Sequence, residues 1–84
     1  MTQTGTAKAA LFARTSTTQL VLAALTLDAK ATLTAEERLT LAWINDEMEN
    51  RMGGVQDDDA FDALLDTDIS YTEALLVTFP ALAA

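Results

Sequence analysis

The chain contains no cysteine and no histidine. Without cysteine there is no disulfide, no thiolate nucleophile and no thiolate zinc site. Without histidine the commonest general base and the commonest metal ligand are both missing. Glycine is scarce, and the one adjacent pair is Gly53-Gly54. No glycine-rich loop leads into a Lys-Ser or Lys-Thr step that would cradle a phosphate. Long apolar runs are absent too. The longest, Leu20 to Leu25, is far short of the roughly 20 residues that a membrane-spanning helix needs. Basic residues are few: 5 against 13 acids, for a net charge of −8. We therefore expect no enzyme, no cofactor and no bound metal. Direct contact with nucleic acid or with an anionic membrane is disfavoured, because an acidic surface repels phosphate.

What remains is 84 residues, half of them apolar, which is enough for one small domain. A chain of this length buries only about 60–65% of its unfolded surface, and no disulfide or metal staple adds to that. Either the helices pack unusually well or a second subunit supplies core. Near the start, Lys8 is followed by the apolar residues Ala9 to Ala13, and Arg14 ends the run. A secretory signal needs a longer apolar region, so we expect a cytoplasmic chain. The lack of cysteine fits a reducing compartment.

Periodicity and capping signals divide the chain into helices. Residues 1–16 are rich in Thr and Ala, and Thr6 is placed to cap a short helix over Ala7 to Arg14. We read them as a flexible segment ahead of the domain. Ser16 and Gln19 have the spacing of a capping box, and a helix over Thr17 to Ala29 follows. Its apolar residues cover most of its circumference, as in a helix buried on several sides. Thr34 and Glu37 form a second box and open a helix that runs to Met52 and stops at Gly53-Gly54. Leu41, Ile44, Met48 and Met52 lie in one row of that helix, and Leu39, Ala42 and Trp43 widen it into an apolar face. Asp57, Asp58 or Asp59 caps a third helix to Asp66, with Phe61, Leu64 and Leu65 on one side. Ser70 and Glu73 open a fourth from Tyr71 to about Phe79, which Pro80 ends. Residues 81–84 are read as a loose tail. The expected fold is an all-α bundle of about four helices in one domain, 17–80.

Charge is unevenly spread. Residues 1–35 carry Lys8, Arg14 and Lys30 against Asp28, a net of +2, and residues 36–84 carry 12 acids against Arg38 and Arg51, a net of −10. Asp57, Asp58, Asp59 and Asp62 resemble part of a calcium loop. However, the position where such a loop needs glycine to turn sharply is Asp62 itself. A helix cap with a dipole-matched first turn explains these acids. Asp46, Glu47 and Glu49 are harder to explain locally. They lie in the second half of their helix, towards its negative end, where acids are slightly unfavourable. Glu47 has a partner four residues on in Arg51, while Asp46 and Glu49 repel. These three, with Asp57, Asp58, Asp59 and Asp62, form the candidate binding face. Trp43, the single tryptophan, is either core filler or an anchor for a partner. Leu20, Leu22, Leu25 and Leu27 are more apolar residues than three other short helices readily cover. They are the candidate surface for a homodimer.

From Leu25 to Arg51 the text reads LTLDAKATLTAEERLTLAWINDEMENR. It resembles small acidic proteins of actinobacteria and of their phages and plasmids, which pair a short LDAK connector with a helix bearing a Trp among acids. The matched residues are Leu27, Asp28, Ala29 and Lys30, then Thr34, Glu37, Ala42, Trp43, Ile44, Asp46, Glu47 and Glu49. The match covers about a third of the chain and brings no functional residues with it. It implies an origin in a phage or other mobile element. Small proteins of that kind often bind host machinery, an analogy rather than a property of these residues.

The expected function is a non-enzymatic module whose acidic face engages or inhibits a basic surface on a host protein. Two other readings stay open. Carboxylates arrayed like phosphates make a nucleic-acid mimic that blocks a DNA- or RNA-binding protein such as a defence nuclease. A phage structural or assembly protein would instead form higher oligomers.

Overall fold

The computed structural model describes residues 10–83, and they form an all-α bundle with no strand among them. The helices are α1 (Thr17–Asp28), α2 (Ala35–Arg51), α3 (Asp58–Leu65) and α4 (Tyr71–Thr78), followed by a 3-10 helix, Pro80–Ala83. No helix among the described residues is long and apolar enough to cross a membrane.

Each of α1 to α4 begins where a side chain accepts from a free N–H of the first turn. Ser16 accepts from the Gln19 N–H at 3.1 Å, and the Gln19 side chain accepts from the Ser16 N–H at 3.1 Å. Thr34 and Glu37 repeat the reciprocal box at 3.1 and 3.0 Å. Asp57 is the acid that caps α3, accepting from the Ala60 N–H at 3.0 Å. Ser70 caps α4 by accepting from the Glu73 N–H at 3.1 Å. It is also tied across the bundle, because its hydroxyl donates to Asp28 Oδ2 at 2.7 Å. The start of α4 is thereby fixed to the end of α1.

The turn after α2 needs its two glycines. Gly53 and Gly54 both have φ of 85°, a left-handed backbone that side chains resist. Their N–H groups return to Asn50 and Glu49 carbonyls at 3.1 and 2.9 Å, closing the helix end.

The core draws Leu20, Val21 and Ala24 from α1, Ile44 and Met48 from α2, Phe61 from α3, and Ala74 and Leu75 from α4. α1 packs on α2 and on α4, α2 also packs on α4, and α3 packs on α4. Ala24 and Ala74 are fully buried. Having no side chain beyond Cβ, they keep little between the elements they join.

The ends differ from the sequence reading. Residues 10–13 are helical and Phe12 is buried in the core, so residues 10–16 belong to the domain rather than to a flexible segment. Leu82, expected in a loose tail, is also buried in the core. It gets there because Pro80 ends α4 and turns the chain back onto α1 and α4. The expectations for residues 1–9 and for residue 84 lie outside the described residues. On α2, Leu39 and Ala42 are exposed rather than part of the core face, and the buried side instead includes the polar Asn45.

Candidate functional site

Ala42, Asn45, Asp46 and Glu49 are spaced i, i+3, i+4 and i+7 along α2, so they share one side of the helix. That side meets the first turn of α4. Between them lies a groove of about 330 Å³ lined by Ala42, Asn45, Asp46 and Tyr71. Ala42 leaves it room, and Asp46 stands exposed beside it.

Tyr71 is the first residue of α4 and is 40% exposed. Its hydroxyl donates to Glu49 Oε1 at 2.7 Å. Phe61 meets its ring edge-on, with centroids 5.1 Å apart and planes at 72°, the arrangement that aromatic quadrupoles favour. Partial burial raises the Tyr71 pKa, and the adjacent Glu49 and Asp46 charges raise it further, to about 12. The phenol therefore stays neutral at ordinary pH and serves as a fixed donor and an aromatic wall.

Beneath the groove, Asn45 is only 6% exposed. Its Oδ1 accepts from the buried Thr72 hydroxyl at 3.1 Å. Its Nδ2 has no hydrogen-bond acceptor among the described residues, whereas no fully enclosed side-chain N or O atom among them lacks a partner. The Nδ2 is therefore not fully enclosed, and Asn45 is one of the residues that line the groove.

The seven candidate acids do not form one cluster. Asp46 and Glu49 converge on Tyr71. Glu47 is committed elsewhere: Arg51 Nε donates to its Oε2 at 2.9 Å. The same guanidinium reaches Thr17 Oγ1 at 3.1 Å and the Phe12 carbonyl at 2.7 Å. Asp57 spends an oxygen on capping α3, while Asp58, Asp59 and Asp62 are exposed around that helix. Phe61, edge-on to Tyr71, links α3 to the groove. Among the described residues no group of three or more acids is arranged to hold a metal ion.

The four leucines of α1 separate as well. Leu20 is 2% exposed inside the chain's own core, and Leu27 is half-buried against it. Leu22, at 60% exposed, and Leu25 face solvent. A dimer surface on α1 would rest on those two. Trp43 is half-buried and packs against the core.

Tyr71, Asn45 and Ala42 are the site residues that sequence reasoning missed. The signal for Ala42 and Asn45 was the 42–45–46–49 spacing, which places a small residue and an amide on the acidic side of α2, while nothing local marked Tyr71. No family model, no curated protein and no solved structure matches the chain.

Proposed function

We propose that this chain is a small, non-enzymatic module that binds a basic surface on another protein. The observation that carries the reading is the state of its carboxylates. Of 13 acids, Glu37 and Glu47 are the two paired with a cation among the described residues, through Lys30 and Arg51. The other acids have no cationic partner among the described residues, and most of them are exposed. Such a field speeds encounter with a cationic protein and selects against acidic ones. Origin in a phage or other mobile element, with a host protein as the target, rests on the LDAK-to-Trp43 resemblance.

The test is capture of partners from a lysate at low salt, elution with rising salt, and a repeat with a neutralised variant. That variant carries Asp46→Asn, Glu49→Gln, Asp57→Asn, Asp58→Asn, Asp59→Asn and Asp62→Asn. Asn caps a helix about as well as Asp, so α3 keeps its start. The reading expects a basic protein that elutes with salt and escapes the variant. Equal capture by both forms overturns it. If the captured protein binds nucleic acid and DNA competes for it, the mode of binding is mimicry.

A further inference from the structure

We infer that the groove between α2 and α4 receives an arginine side chain of the partner, together with a main-chain carbonyl from the same peptide segment. This deepens the protein-binding reading above and rests on it.

The groove presents two complementary needs. Asp46 is an exposed carboxylate with no cation paired to it among the described residues. It accepts. Asn45, almost wholly buried, lines the same groove, and its Nδ2 has no acceptor among the described residues. It donates, and a donor largely removed from water favours an acceptor. A simple cation meets only the first need. A peptide segment meets both, with a charged side chain on Asp46 and a carbonyl oxygen on Asn45.

The wall selects which cation. Tyr71 is held at its hydroxyl by Glu49 and braced by Phe61, so its ring is a fixed surface. A guanidinium is planar, stacks on aromatic rings and spreads five donors in a fork. An ammonium is a compact, strongly hydrated point charge that uses a ring wall less well. The space, about 330 Å³, falls in the size range of small-ligand pockets, roughly 300–1,000 Å³. The bare Cβ of Ala42 leaves the groove unfilled from the α2 side.

The experiment uses the full chain labelled with nitrogen-15 and titrated with the blocked peptide acetyl-Gly-Arg-Gly-amide. Acetyl-Gly-Lys-Gly-amide is the control. The inference expects shifts in the backbone signals of Ala42, Asp46 and Tyr71 and in the side-chain amide of Asn45. The arginine peptide should bind more tightly than the lysine peptide. Asp46→Asn, an exposed change that leaves the core untouched, should weaken the arginine peptide about tenfold. Equal response to both peptides overturns the inference. So does a response at Asp57–Asp62 that ignores Asp46→Asn, or silence of the groove. A polyarginine chain separates the two levels of failure. If it still binds the acidic surface, the groove alone is wrong; if it does not, the protein-binding reading falls too.

Discussion

The guanidinium of Arg51 donates to the main-chain carbonyl of Phe12, 39 residues earlier, at 2.7 Å. That one contact fastens the end of α2 to the turn before α1 and holds Phe12 where it enters the core. The same group reaches Glu47 and Thr17, which makes it a clasp rather than a surface ion pair. Arg51→Ala should destabilise the fold by roughly 1.5–3 kcal/mol, the range for hydrogen bonds to a charged group. Arg51→Lys should recover less than half of that, because the three acceptors are met by three separate guanidinium nitrogens and an ammonium has its donors on one. Urea unfolding midpoints for the three forms check both statements.

Tyr71 gives a titration signature. Its pKa, raised to about 12 by partial burial and by Glu49 and Asp46, means that the folded chain keeps the phenolic proton after the unfolded chain has released it. The stabilisation is fully present below the ordinary tyrosine value of 10.0. It is lost as pH rises from there through about 12. Phenolate absorbance of the folded protein should therefore titrate above that of the urea-unfolded chain, and Glu49→Gln should lower the folded midpoint.

Glu37 works in the opposite direction. The hydrogen bond from Lys30, followed by the Thr34 main-chain N–H, holds its carboxyl below the ordinary value. The unfolded chain takes up the proton first as pH falls. The charge-dependent stability is therefore present above the ordinary glutamate pKa and lost as pH falls through the lowered folded value. Glu37→Gln keeps the capping-box geometry while removing the charge. Melting temperatures of the two proteins should differ at neutral pH and converge in acid.

The Asn45–Thr72 pair is buried, with Thr72 donating to Asn45 Oδ1 at 3.1 Å. Thr72→Val removes the donor and strands the acceptor, which should cost about 1–3 kcal/mol. Adding Asn45→Leu should return much of that loss, because a pair replaced on both sides leaves no orphan. A double-mutant cycle by chemical denaturation reads the coupling.

Leu20 and Leu22 are two residues apart on α1, yet one is 2% exposed and the other 60%. Leu20→Ala should cost about 2–5 kcal/mol, as a cavity in the core does. Leu22→Ala should fall within about 0.5 kcal/mol in the monomer. Sedimentation of the Leu22→Ala protein against the wild type reports whether that exposed leucine also joins two copies.

The local signals in the sequence carried most of the fold. Ser16 with Gln19 and Thr34 with Glu37 marked two helix starts through side-chain and backbone atoms only three residues apart, and Gly53-Gly54 marked a stop. Those contacts are local, so spacing reveals them. The side of α1 that faces inward was not legible, because its leucines surround the helix and only packing against α2 and α4 singles out Leu20 over Leu22. Asn45 was hidden for a related reason: an amide inside a core is recognisable only once Thr72, 27 residues on, is seen beside it. Phe12 and Leu82 read from the sequence as loose ends because their partners lie far along the chain. In the candidate site, Asp46 and Glu49 stood out because their charges suit a helix end poorly. Tyr71 did not, since its role depends on α3 and α2 bringing Phe61 and Glu49 to it.

The unmatched carboxylates also bear on how the protein folds in solution. Like charges gathered on a compact body push against it, so the native state is under a tension that the extended chain largely escapes. Dissolved salt relaxes that tension by screening, and a cationic protein that binds only the folded form relaxes it more locally. By mass action such a partner is then a folding ligand as well. The chain would be hardest to unfold when occupied, and a protease would clear the unoccupied copies first.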